Sequence, residues 1–253
     1  MPRIQKILAG LGVASRRNVE AMIRQGRVAV NGKVVMDLPI LIDPRHDKIQ
    51  VDGEPVHLSP GHDAPRIYIL LNKPKRVYAT NTAQGEQIRA LDLLPRDLPV
   101  RVYPVGRLEA DAKGLLLFTN DGDLTHRLTH PRFGVPKTYR AVVSGSISPQ
   151  AMHALSRSVR FSDEPESPTS SRSFVKIIKR SREMTIVEIT IREGRSAHIR
   201  RLLSQVGYKI RELTRIKFGP LTLEGLPPGK SRPLTAKEIA RLRAMTSKED
   251  SSP

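Results

Sequence analysis

The stretch VGRLEADAKGLLLFTNDG, residues 105–122, places two carboxylates, Glu109 and Asp111, two positions apart between a Gly-Arg turn and a run of four large apolar residues. Either acid can be a reacting group or a solvated loop carboxylate, and residue type and spacing alone do not choose between them. A second candidate lies just beyond. His126 and His130 are four apart on an expected helix, which puts two imidazoles on one face, but HRLTH lacks the glutamate of the metalloprotease pattern and no third ligand is near. Metal binding is therefore not expected, and helix-surface or phosphate-facing histidines are the better reading. With no cysteine in 253 residues, disulfides, zinc-thiolate centres and thiol nucleophiles are excluded. Neither a G-x-x-x-x-G-K-[ST] loop nor a G-x-G-x-x-G turn after a strand occurs, so no nucleotide cofactor is indicated.

The elements that must hold these residues follow from periodicity. In RIQKILAGLG, Ile4, Ile7, Leu8 and Leu11 fall at i, i+3, i+4 and i+7, the stripe of a short amphipathic helix that Gly10 and Gly12 end. Ser15 is the expected N-cap of a second helix that turns Val19, Met22 and Ile23 inward and stops before Gly26. RVAVNGKVV reads as a hairpin around Asn31-Gly32, and IQVDGEPV at 49–56 as one further strand, which a unit this small needs for stability. HLSPGHDAP, 57–65, reads as a linker. Beyond it RIYILLNKP, GLLLFT, KTYRAVVSG, FVKIIKRS and MTIVEITIREG read as strands, with helical pattern around 123–130, 149–157 and 197–206. Strands that follow one another with few crossover helices predict an α+β fold with a mixed, mainly antiparallel sheet. FSDEPESPTSSRS, 161–173, reads as a mobile loop, Thr235 and Glu238 as the capping box of a last helix, and SKEDSSP as a disordered tail. The expected organisation is a helix-helix-hairpin domain at 1–58, a linker at 59–65, a larger domain at 66–246 and a tail at 247–253.

Charge narrows the class of partner. Lys and Arg number 43 against 25 Asp and Glu, a net charge of +18, and such a field attracts polyanions. The charge is clustered. Residues 1–33 hold Arg3, Lys6, Arg16, Arg17, Arg24, Arg27 and Lys33 against the single acid Glu20, and residues 192–217 hold eight basic side chains against Glu193 and Glu212. Nucleic acid is the expected partner. Aromatic residues are only 4% and Trp is absent, which disfavours a sheet of stacking rings and points to recognition by shape and charge. No apolar run approaches the roughly 20 residues of a membrane helix, and MPRIQKILAG has neither the apolar segment nor the cleavage pattern of a secretory signal. A soluble, cytoplasmic protein without membrane association is expected.

Four segments and the N-terminal unit carry a resemblance that pattern alone does not supply. VGRLEADAKGLLLFTNDGDLTHRLTHPRFGVPKTYR resembles the signature region of the RsuA-type family of ribosomal-RNA pseudouridine synthases, in which a G-R-L-D segment precedes an apolar strand and an N-D-G turn, and K-T-Y follows. LLNKPKRVYAT, EGRSAHIRRLL and RIKFGPLTLEGLPPGKSRPLT are similar to further blocks of that family, and residues 1–58 to the alpha-L RNA-binding module usually joined to it. The similarity spans residues 2–240 in the expected order.

The resemblance implies a cofactor-free isomerisation of uridine in ribosomal RNA, in which the base is detached from its sugar, turned and rejoined through carbon. It implies one carboxylate meeting the glycosidic carbon in a dry pocket, where an oriented charge interacts far more strongly than in water. An arginine then keeps that acid ionised against the desolvation that raises its pKa. On residue matching the carboxylate is Glu109, in place of the family's aspartate, while Ala112 replaces its usual hydroxyl residue and Ala197-His198 its Arg-Gln pair. Tyr139 matches the tyrosine that stacks on uracil and Arg200 the arginine that pairs with the carboxylate. Lys73, Arg107, Arg195 and Arg201 look like RNA contacts, as do the seven basic residues of the N-terminal cluster. Asp111 would serve only if the loop slipped by two residues, yet Gly106, Arg107 and Gly114 keep the family's spacing. LTHPRFGVPKTYR is closer to the large-subunit subgroup, with small-subunit RNA as the alternative. The departures leave a second reading open, a relative that binds rRNA without turnover and assists ribosome assembly. A translation regulator built on the N-terminal module leaves most of the chain unexplained. The expected partner is ribosomal RNA or an assembling subunit, and the resemblance suggests a monomer.

Overall fold

A computed structural model describes all residues except 58–64, 82–84, 157–173, 193–195 and 248–253. The linker at 59–65 lies almost wholly outside the described residues, and the loop at 161–173 and all of the tail but Ser247 lie outside them as well. The chain divides into two compact units, Met1–Arg66 with Leu98–Arg101, and Ile67–Asp97 with Val102–Pro253.

The first unit holds helices α1 (Ile4–Gly10) and α2 (Arg16–Arg24) and strands β1 (Val28–Val30), β2 (Lys33–Val34), β3 (Ile49–Val51) and β4 (Glu54–Val56). Its sheet has the order β2-β1-β3-β4, antiparallel throughout. Ser15 caps α2 by accepting a hydrogen bond from the Asn18 amide at 3.2 Å. The stripes of both helices close on the sheet, with Ile4, Leu8, Val19 and Ile23 fully buried against Val28, Ile42 and Ile49, whereas Leu11, expected on the first stripe, lies past the end of α1 and is exposed. Asn31 and Gly32 both have positive φ, 51° and 78°, the requirement of the tight hairpin turn that matches strand twist. The single strand expected at 49–56 is corrected. Asp52 and Gly53, at φ 54° and 83°, fold it into the β3–β4 hairpin. That Asp-Gly pair carries the same turn chemistry as Asn31-Gly32, but the segments flanking it are only three residues each.

The second unit begins with β5 (Tyr68–Lys73), β6 (Tyr103–Pro104), β7 (Lys113–Thr119), α3 (Gly122–Thr129) and β8 (Lys137–Ser144). It continues with α4 (Pro149–Ser156), β9 (Phe174–Arg180), β10 (Met184–Ile191) and α5 (Ser196–Gln205). β11 (Ile210–Phe218), β12 (Leu221–Thr222), β13 (Ser231–Pro233) and α6 (Ala236–Ser247) complete it. The sheet runs β13-β5-β7-β11-β8-β10-β9, with β6 beside β7 and β12 beside β11. Among the described strands of this sheet only β7 with β11 pairs in parallel, so the fold is α+β with a mixed, mainly antiparallel sheet. Leu115, Leu116, Leu117 and Phe118 of β7 are all fully buried, as expected of a central strand covered on both faces.

β11 is the longest of the strands that periodicity did not announce, the others being the short β6, β12 and β13. Its alternation is broken by register shifts at Ile210/Glu212 and Arg215/Lys217, and Arg215 sits where an apolar residue is expected, 1% exposed. Its parallel pairing with β7 brings the two backbones very close. A Cβ at Gly114, φ 106°, would stand 2.3 Å from the Arg215 carbonyl oxygen and 2.9 Å from its nitrogen, so only glycine fits. The N-D-G turn is a fastening. Asp121 caps α3 by accepting from the Leu124 amide at 3.0 Å, its other oxygen accepts from the Tyr68 hydroxyl at 2.7 Å, and the Asn120 side chain accepts from the Ile67 amide at 2.8 Å. Among the described residues no helix is long and apolar enough to cross a membrane.

Candidate active site

The loop between β6 and β7 presents its acids by alternation. Leu108 and Ala112 are buried, which turns Glu109 and Asp111 outward, with 37% and 66% of their side chains exposed. The Ala112 amide donates to the Glu109 carbonyl at 3.1 Å, and the Arg76 amide to the Ala110 carbonyl at 2.7 Å, so the backbone between the acids is held from both sides. Helix α5 buries Ile199, Leu202 and Leu203 and sets Arg200 against the loop. Arg200 Nε donates to Glu109 Oε2 at 3.2 Å while its Nη2 reaches Asp111 Oδ2 at 2.6 Å. One guanidinium therefore holds both carboxylates, an arrangement its planar fork of donors permits. The Asp111 contact is the shorter of the two, and spacing alone did not reveal it.

Beside this loop lies a buried group of cations. Lys73, expected as an RNA contact, is fully buried, and that expectation is corrected. Its ammonium donates to the carbonyls of Pro74 at 3.0 Å, Val77 at 2.8 Å and Ala110 at 3.4 Å, leaving no access for a phosphate. Burial lowers its pKa to about 8, against the opposing pull of Asp111. RIYILLNKP reads as a strand, and every residue of β5, Lys73 included, is buried. Burial brings Lys137 to about 8 as well, and the charge of Arg215 pushes both lysines the same way. Arg215 Nε donates to the Leu115 carbonyl at 2.7 Å. Its Nη2 and the hydroxyl of fully buried Tyr139 find no hydrogen-bond partner among the described residues. Tyr139 and Arg215 are direct cross-strand partners on β8 and β11, so their side chains share one face of the sheet. Each such orphaned polar atom costs about 1–3 kcal/mol. Neither Arg215 nor Lys137 stood out in the sequence, where Lys137 opens an expected strand and Arg215 lies in the basic cluster at 192–217.

Arg107 and Arg201 are exposed, and Arg195 lies outside the described residues. Burial, and then the charge of Arg201, hold the His198 imidazole below its ordinary pKa. In the first unit Arg3, Lys6, Arg16, Arg17, Arg24 and Lys33 are exposed. Arg27 is engaged instead, donating through two nitrogens to the Asp52 carboxylate at 2.6 Å each.

The RNA pseudouridylate synthase family model matches residues 67–205, and the S4 domain model matches residues 2–38. The chain is 39% identical over 241 residues to an uncharacterized RNA pseudouridine synthase of Aquifex aeolicus, covering 95% of this chain and 93% of that one. It is 37% identical over 247 residues to a Bacillus subtilis protein named ribosomal large subunit pseudouridine synthase B, with 97% of each chain covered. A crystal structure of a pseudouridylate synthase matches with a TM-score of 0.66 at 27% identity, over 96% of this chain and 100% of that one. These matches place the chain in the RNA pseudouridylate synthase family, as an isomerase that acts on RNA.

Proposed function

We propose that this chain isomerises uridine in large-subunit ribosomal RNA, with Glu109 as the reacting carboxylate. The observation that carries the reading is the contact of Arg200 with Glu109, which joins α5 to the acid loop across 91 residues of sequence. In the reaction the N1–C1′ bond breaks, the uracil turns and a C5–C1′ bond forms. The proton on C5 is lost and N1 gains one, so the composition is unchanged and no cofactor is consumed. Glu109 meets C1′, and Arg200 keeps it ionised once the site is covered. Because Glu109 is partly exposed in the free chain, the RNA itself completes the exclusion of water. Asp111 braces the far side of Arg200, which supports a carboxylate standing one methylene further out than an aspartate. Tyr139, fully enclosed in the free chain, is the ring that meets the uracil once RNA binding uncovers it. Exposed Arg107, Arg201 and the basic faces of α1 and α2 hold phosphates, which set position but carry no sequence information. The partner is rRNA or an assembling subunit, met by a monomer.

The large-subunit assignment is supported by the Bacillus subtilis relative's name. Incubating the full chain with unmodified transcripts of both rRNAs, then mapping pseudouridine, tests it. Product in the large-subunit transcript alone is expected, and product in the small-subunit transcript alone reassigns the substrate. A chain that binds both and modifies neither is the assembly-assisting relative instead, a reading favoured by glutamate standing at the aspartate position.

A further inference from the structure

Helix α3 ends beside the acid loop. The Thr129 Cγ2 methyl lies 3.6 Å from where a Cβ on Gly106 would stand, which sets Arg107 next to the last turn of that helix. On this turn the rings of His126 and His130 lie 4.9 Å apart at a tilt of 49°. Both rings meet Phe133 edgewise, at 6.0 and 6.3 Å, and the Arg132 guanidinium covers the Phe133 ring at 4.4 Å. Phe133 is buried in the core, while His126, His130, Arg132 and Arg107 are exposed. The patch is fixed in place. His130 Nδ1 accepts from the Arg132 amide at 3.2 Å, and Pro131 opens the 3-10 turn Pro131–Phe133.

A basic surface with exposed side-chain rings, standing next to the catalytic loop of an enzyme that acts on RNA, has a specific physical use. Turning a nucleotide out of its stack strips its neighbour of a stacking partner. A protein ring replaces that partner whatever the neighbouring base is, because every base has a π face. We propose that this patch holds the RNA strand next to the target uridine, the His126–His130 pair stacking an unpaired base while Arg132 and Arg107 hold the flanking phosphates. An acidic or apolar protein segment fits the same surface less well, since it would leave either the rings or the guanidiniums unanswered. The proposal rests on the family's action on RNA and is independent of which acid reacts.

The test uses the full chain and two probes, an unmodified rRNA transcript and a short single strand carrying 5-iodouridine, which cross-links on irradiation to a ring stacked against it. In the wild type the cross-link is expected on the peptide bearing His126 and His130. Cross-links found only elsewhere overturn the proposal. The double variant His126→Ser/His130→Asn keeps an acceptor for the Arg132 amide but removes both rings. It is expected to lose the cross-link and about 5- to 100-fold in affinity, with the salt dependence unchanged. Arg132→Gln is expected to keep the cross-link and lower the slope of log affinity against log salt by about 0.7. Wild-type affinity in the double variant, with its melting temperature intact, means that the rings serve only to close the helix end. A chain inactive in turnover still gives all of these binding results, so failure here and failure of the Glu109 assignment are separable.

Discussion

Glu109→Gln isolates the charge that the chemistry needs. Glutamine keeps the length of the side chain and an oxygen for Arg200 Nε, now at 3.2 Å from the carboxylate, and removes one negative charge. The pair is 31% and 37% exposed, so its loss costs under about 1 kcal/mol and lowers the melting temperature by at most about 4 °C in a domain of this size. Arg200 retains its shorter contact, to Asp111 at 2.6 Å, and does not swing away. RNA affinity is therefore expected to stay within about threefold of wild type, since one fewer negative charge helps a polyanion slightly. Turnover, in contrast, loses the group that meets C1′, and is expected to fall by at least about 10³-fold, on the order of 4 kcal/mol of barrier. The assay is single-turnover conversion of an unmodified rRNA transcript with enzyme in excess, pseudouridine being quantified after digestion and affinity measured in parallel. A variant that keeps more than about a tenth of the wild-type rate refutes the assignment, and abolition by Asp111→Asn would then make Asp111 the reacting acid. Glu109→Asp withdraws the carboxylate by one methylene and breaks the Arg200 contact, for an expected loss of about 10²-fold. A silent wild type that gains activity from this substitution establishes the assembly reading.

Four further outcomes are expected. Asp111→Asn leaves an exposed neutral partner on Arg200, so kcat falls by less than about tenfold with KM unchanged, as steady-state kinetics will show. Replacing Arg16, Arg17 and Arg24 by Gln lowers the salt slope of RNA binding by up to about 2, read by titration across a salt series, and an unchanged slope removes α2 from the RNA interface. Gly114→Ala drives a methyl into the Arg215 backbone and costs about 3–5 kcal/mol in denaturant melts. Lys73 has a folded pKa of about 8 against 10.5 ordinarily. Between those values the unfolded chain holds a proton that the folded one has released, so stability rises with pH by on the order of 3 kcal/mol from this group. Lys73→Met removes that increment, and equal pH slopes in wild type and variant between 8 and 10.5 would falsify it.

Repetition and turn chemistry were readable where a residue's neighbours decide its state. The α1 and α2 stripes, the Ser15 cap, the Asn31-Gly32 turn and the Thr235–Glu238 box, in which the Glu238 amide donates to Thr235 Oγ1 at 3.2 Å, all depend on residues within four positions. What distant residues decide was hidden. β11 owes its place to β7 and β8, and its two bulges erase the period that would announce it. Lys73 is buried because β7 pairs with it at Gly114 and the segments carrying Val77 and Ala110 close on its ammonium, a fact that no property of N-K-P contains. At the site, the family resemblance implied the Glu109–Arg200 pair, while the geometry added Asp111 as a second anchor.

Strands β7 and β8 follow one another with only α3 and a short turn between them, yet β11 lies between them in the sheet. During synthesis, which proceeds from the N-terminus, β6 already pairs the far end of β7 at Phe118 and Thr119, whereas its start at Lys113 and Gly114 has no partner on that side until Thr214 and Arg215 have been made. A nascent chain halted before Ile210 would leave the inner edge of β8, and Lys113 and Gly114 of β7, open to pairing with other chains. It would also lack the strand beside α5 and the Arg215 guanidinium that donates to the Leu115 carbonyl, so a strand made late in synthesis is the closing stitch between two strands made earlier.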